Sequence, residues 1–387
     1  MYSKKRIIKY LILILAILVL LVVLLTQVGD IKKIFDVFSN GFQPWWLILS
    51  ILVVLLYCFV YKLPLILLVK RQYKHLCFFD LYLISGSEFF FNAVTPFSSG
   101  GQPFQAYALK QKNVSLSDST SQLLLNFLAY QISLNLISVV CACFYFTRLH
   151  SEIDNFIILF IVGFSINLLI MILLVLLGCN KAFGKALIKL ITAICKIKFI
   201  KKFVGDKTTS IENYVNDMQT AFKTIKKDMK LWLLCLLIKI LANMIYYTIP
   251  FIGFYAIGNP ITGKEFWYCF ALTSFSLTTT IWIPLPGASG GVELAFLVLF
   301  KKIISDGGAS DPDSVAQSGM LVWRLLTYYF VLFHGLIDYI IFDRRISNEM
   351  KKNELTLSEK EIILEADDAK NNDNNLDNIN ENEEVKK

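Results

Sequence analysis

The chain has 387 residues, of which 56% are hydrophobic and 14% aromatic. Apolar runs of about 18 or more residues recur along it, which excludes an ordinary soluble domain and indicates a polytopic membrane protein. The formal net charge is +8, but in such a protein Lys and Arg report loop orientation and contact with anionic lipid, so nucleic acid is not expected as a partner.

The eight cysteines form no Cys-x-x-Cys unit, and His75, His150 and His334 are the only three histidines. No catalytic residues, metal or cofactor are therefore expected. There is no Walker-type phosphate loop, which argues against direct use of ATP.

In chain order, Lys4, Lys5 and Arg6 precede an apolar run at 7–25 that reads as a retained signal-anchor helix. Full spans follow at 47–69, 119–147, 156–178, 231–257 and 319–341. Two apolar stretches, 76–112 and 266–304, are interrupted. The basic N-terminus, the connection holding Lys70, Arg71 and Lys74, the Lys-rich stretch 181–230 and the pair Arg344 and Arg345 should all be cytoplasmic. The acidic connectors at Glu152 to Asp154 and Asp306 to Asp313 should lie outside. With those sides fixed, segment 76–112 must enter and leave on the cytoplasmic face and segment 266–304 on the outer face.

The expected fold is therefore all-α, with about six full spans plus two re-entrant hairpins. These eight hydrophobic segments form an inverted repeat of span, span, re-entrant hairpin, span. The first repeat covers 1–147. The second covers 148–345 and carries the cytoplasmic insertion 181–230, and 346–387 is a polar, Asn-rich, disordered cytoplasmic tail. In the insertion, Lys181, Lys185, Lys189 and Lys196 fall on one helical face opposite Leu187, Leu190, Ile194 and Ile197. Either a helix lying on anionic lipid headgroups or a solvated loop accounts for this pattern.

Each interruption carries the same punctuation. Pro96, Ser98, Ser99, Gly100 and Gly101 break the first segment, and Pro286, Ser289, Gly290 and Gly291 break the second, 190 positions on. In hydrocarbon such breaks are tolerated only where the opened backbone is buried in protein or lines a polar cavity, and paired breaks in two halves point to a transporter's substrate site. The half-helices restarting at Gln102 and Val292 would offer free N–H donors to an anionic group such as a lipid phosphate. The competing reading makes the glycines helix-packing residues and the serines caps. Asn92 is polar enough to line the same cavity.

Ionisable residues at membrane depth are the remaining candidates: Lys62, Glu88, Lys239, Glu293, Arg324 and Asp338. Lys62 and Lys239 could receive a phosphate or snorkel, and Glu293 could meet a cationic substrate group, pair with Arg324 or complement a helix N-terminus. Arg324 and Asp338 lie nearer the ends of the last span, where an interfacial position is expected.

The stretch Asn92-Ala-Val-Thr-Pro96-Phe-Ser-Ser-Gly100-Gly101-Gln-Pro103, followed by Tyr107 to Lys110, Val114 and Ser115, resembles the first signature of the lysylphosphatidylglycerol synthase transmembrane family. That family is the flippase-like part of multiple peptide resistance factor proteins. Pro284, Pro286, Gly287, Gly290, Gly291 and Glu293 resemble its second signature. The resemblance implies translocation of a polar or aminoacylated phospholipid, such as lysylphosphatidylglycerol, between leaflets of a bacterial plasma membrane, with both termini cytoplasmic. It also implies an association with resistance to cationic antimicrobial peptides.

Full-length members add a soluble domain that lysylates phosphatidylglycerol from lysyl-tRNA. The stretch after Ile341 is too short for it, so transferase activity by this chain alone is not expected. Two alternatives stand beside the translocase: a membrane subunit of phosphatidylglycerol lysyltransferase whose separate enzyme is the partner, and a membrane scaffold for an envelope enzyme docked through the Lys-rich loop.

Overall fold

The structure is a computed structural model that describes residues 31–152, 154–195, 208–259, 261–280 and 290–351. Among these residues all regular structure is helical. The elements are α1 (Ile31–Gly41), α2 (Pro44–Gln72), α3 (Phe78–Val94), α4 (Gly101–Gln111), α5 (Leu116–Glu152), α6 (Asp154–Cys179), α7 (Lys181–Cys195), α8 (Thr208–Lys227), α9 (Met229–Ala256), α10 (Phe266–Thr280), α11 (Gly291–Asp306) and α12 (Pro312–Arg324). One π turn, Leu325–Phe330, follows α12.

Five helices are long and apolar enough to cross a membrane: Pro44–Gln72, Leu116–Glu152, Phe160–Cys179, Met229–Ala256 and Pro312–Lys351. They coincide with five of the six expected spans, and the chain is a multi-pass membrane protein. The sixth, at 7–25, lies outside the described residues, as do Lys196, Ile197 and the tail from residue 352. The chain divides into a unit Met1–Tyr339, which holds everything that follows, and a unit Ile340–Lys387, of which 340–351 is helical.

Each interrupted segment is helix, break, helix. Arms α3 and α4 pack on each other around a 3-10 turn, Pro96–Ser98. Arms α10 and α11 also pack together, their link at 281–289 lying outside the described residues. The two hairpins are held on a frame of α2, α5 and α9. Among the described helices, α2 and α9 are the most extensively packed pair. Both carry an internal proline, Pro64 and Pro250, which a helix in lipid tolerates when neighbours satisfy the freed backbone. The Cys235 thiol donates to the Pro64 carbonyl at 3.7 Å, and Asp228 caps α9 through the Leu231 N–H.

The Lys-rich connector folds into α7 and α8, which pack on each other and on α6, while α8 also packs on α5. Ser121 Oγ donates to Asp217 O at 3.2 Å. Lys181, Lys185 and Lys189 are exposed, as expected for the charged face. The opposite face is divided. Leu187 and Ile188 pack with Val215, Met218 and Ala221 of α8, whereas Leu190 stays exposed at 58%. Part of the apolar stripe is used inside the protein, since a fold that supplies a partner helix buries apolar area there at about 25 cal/mol per Å².

Candidate functional site

A cavity of about 480 Å³ opens among α2, α3, α5, α6 and α9. Four of the residues marked in the sequence reach it: Glu88, Asn92, Ser98 and Gln102. Most of the wall comes from elsewhere. Tyr57 and Tyr61 of α2, Tyr130 and Gln131 of α5, Asn167 of α6, Asn243, Tyr246 and Tyr247 of α9, Leu277 of α10 and Thr327 and Tyr328 beyond α12 all face it. The rings form a connected set: Tyr57 lies 5.0 Å from Tyr246, Tyr61 5.0 Å from Phe89, and Tyr61 6.0 Å from Tyr130. Sequence reasoning, which weighed the ionisable groups and the residues at the two breaks, missed these residues. The available signal was the set of amides, Gln131, Asn167 and Asn243, at membrane depth, where an unsatisfied polar group is costly.

The first break is built for close packing. The N–H of Gly101 donates to Asn92 Oδ1 at 2.8 Å and that of Gly100 to Thr95 Oγ1 at 2.8 Å. Two donors at the start of α4 are thus taken, by Asn92 of α3 and by Thr95 just beyond it, and Pro103 contributes none. A Cβ on Gly101 would stand 2.6 Å from Asn92 Oδ1 and 2.6 Å from Glu88 Cγ, and one on Gly100 2.6 Å from Thr95 Cγ2. Between the arms, Phe97 and Ser98 hold left-handed backbone, at φ 55° and 49°. For residues with a side chain this conformation is strained and occurs mainly at functional turns. Pro96 opens that turn, and Ser99, exposed, donates its hydroxyl to Pro96 O at 2.9 Å.

The second break is described only from Gly290 onward; Pro286 and Ser289 lie outside the described residues. Gly290 has φ +88°, and among the described residues nothing stands where its Cβ would go, so its conformation calls for glycine there. Gly291 opens α11. Glu293 accepts from the Gly290 N–H at 2.7 Å and from Arg324 Nε at 2.7 Å. It therefore both closes the N-terminus of α11 and neutralises Arg324, and it lies outside the cavity wall. Arg324 packs over the Tyr328 ring at 4.5 Å, and Tyr328 lines the cavity and donates to Ala93 O at 2.9 Å. Substituting Arg324 by Met should cost about 3–5 kcal/mol in thermal unfolding, because Glu293 is left charged and buried. Pairing Arg324→Met with Glu293→Leu should recover most of it.

The other intramembrane charges are likewise committed to the protein. Lys62 Nζ donates to Asp338 Oδ2 at 2.5 Å and to His334 Nε2 at 2.8 Å, and lies 3.8 Å from the Tyr82 ring centroid. Asp338 and Arg324, expected near the interface, are buried at 4% and 3% exposure, since each has its partner inside the bundle. Lys239 donates to Tyr61 O at 3.0 Å and sits 3.3 Å from the Tyr61 ring centroid. Neither lysine lines the cavity. Glu88 does, and it accepts from Tyr61 OH at 3.5 Å, Asn92 Nδ2 at 3.3 Å and Gln105 Nε2 at 3.2 Å, with Lys239 as its electrostatic counterpart.

A search of curated proteins returns no match. The family described as Lysylphosphatidylglycerol synthase TM region matches residues 7–335, most of the chain and both interrupted segments. The chain belongs to that family.

Proposed function

We propose that the protein is a lipid translocase, in which the polar headgroup occupies the tyrosine-lined cavity while the acyl chains remain in the bilayer. The observation that carries this reading is the cavity itself: about 480 Å³ at membrane depth, edged by the tip of the first hairpin through Phe97 and Ser98 and by the second through Leu277. Polar groups such as Glu88, Asn92, Gln131 and Asn243 on a largely aromatic wall are what a pathway for a polar group through apolar spans requires. In this reading the halves are inverted repeats, α2 corresponds to α9, and α3–α4 and α10–α11 are re-entrant hairpins dipping from opposite faces. The repeats rock against each other about the α2–α9 contact, giving each leaflet access in turn.

The membrane is the bacterial plasma membrane, with both termini cytoplasmic. The exposed Lys181, Lys185 and Lys189 rest against its anionic headgroups. Gly100, Gly101 and Asn92 serve by shaping the first hairpin, and Gly290, Gly291 and Glu293 the second.

The test is leaflet exchange of headgroup-labelled lipids in liposomes holding the purified chain. Exchange well above that of protein-free liposomes is expected. Exchange at the protein-free rate for every lipid offered, with protein shown to be folded, overturns the reading.

A further inference from the structure

The lining discriminates between kinds of headgroup. Among the described residues no Lys or Arg faces the cavity, so a phosphate entering it would lose its hydration without a cationic partner. An ammonium fares little better. The rings would attract it, but Glu88, the only carboxylate in the lining among the described residues, already accepts three hydrogen bonds. A guest cation would have to displace those contacts, and a buried charge without its own counterion is costly.

Uncharged capacity, in contrast, is open. The hydroxyls of Tyr57 and Tyr130 and the amide of Gln102 line the cavity with no hydrogen-bond partner among the described residues. Each can donate and accept. The ring faces around them suit the apolar C–H faces of a compact polyol. The volume lies within the range of small-ligand pockets.

We propose that the group entering the cavity is uncharged and hydroxyl-rich: a glycosyl headgroup carried on a lipid, whose phosphate, where there is one, stays outside the aromatic chamber. This rests on the translocase reading above and names its substrate class.

The test compares leaflet exchange of labelled glucosyl-diacylglycerol, phosphatidylglycerol and lysylphosphatidylglycerol in the same liposome preparation. The full-length chain is set beside Tyr130→Phe and Gln102→Leu, each verified as folded by its melting profile. Glucosyl-diacylglycerol should exchange at least about tenfold faster than either phospholipid. Tyr130→Phe, which removes one hydroxyl and keeps the ring, should slow it by roughly fivefold, the worth of one hydrogen bond. Preference for lysylphosphatidylglycerol or phosphatidylglycerol, equal rates for all three, or no effect of Tyr130→Phe overturns the glycosyl assignment and leaves a translocase. Failure of every lipid to exchange removes the translocase reading and the assignment with it.

Discussion

Replacing Lys62 by Met lowers the stability of the purified chain by about 3–5 kcal/mol, and replacing Asp338 by Leu in the same chain restores most of that loss. The expectation follows from the asymmetry of buried charge. The Lys62 side chain is fully buried and Asp338 nearly so, and their contact is 2.5 Å. Removing one partner strands the other in a low-dielectric interior, whereas replacing both with apolar groups of similar volume is often neutral. The site is also sterically closed. A Cβ on Gly86 would run into the Asp338 carboxylate and stand 2.6 Å from Lys62 Nζ, and one on Gly335 would stand 2.6 Å from Phe90 N. The pair is thus clamped where α2, α3 and the last span cross at two glycines, the close approach that small residues allow between membrane helices. Thermal unfolding in detergent of the single and double variants decides it. If the double variant is as unstable as Lys62→Met alone, packing around Gly86 rather than charge holds the crossing together.

Much of the scaffold could be read from the chain because hydrocarbon permits few backbone solutions. The five described spans follow from run length, and the first interruption falls where Pro96 and Gly100 open the helix. Glu293 illustrates what spacing can reach. Its place near Gly290 suggested a helix cap and its charge suggested Arg324, and the structure gives it both partners. The roles of the glycines were less legible. Gly100 and Gly290 occupy like positions in like motifs, yet one is needed for space against Thr95 and the other for a positive φ, a difference set by the opposing arm. The cavity wall was the least legible part. Tyr57, Tyr130 and Asn243 come from three separate spans, and only the packing of α2, α5 and α9 brings them together. Lys62, Lys239 and Arg324 show the converse. Charge at membrane depth marked them as candidate cavity groups, while their partners, Asp338, the Tyr61 carbonyl and Glu293, lie far away in sequence and hold them out of the wall.

The break at Gly101 supplies the test that joins fold to transport. Gly101→Val should abolish leaflet exchange while the chain still inserts in the membrane and keeps its helical content. The glycine sits on the α3 face formed by Glu88 and Asn92, and a Cβ there would be 2.6 Å from each of them. Asn92 Oδ1 is also the acceptor for the Gly101 N–H, so the new side chain pushes away its own cap, worth about 1 kcal/mol. Overpacking adds about 1–3 kcal/mol. Such a cost is small against a helical bundle of this size, and insertion should survive it. The cavity should not, because Glu88 and Asn92 are part of its wall and Phe97 and Ser98, at its edge, are held in left-handed backbone by the same turn. Gly290→Ala is the contrasting variant. Among the described residues no neighbour stands where its Cβ would go, so its cost is the strain of a sparsely populated backbone conformation, φ 88° and ψ −51°, about 1–3 kcal/mol, and exchange should fall only partially. Full exchange by Gly101→Val would separate the first hairpin from the transport path and leave its glycines as packing residues only.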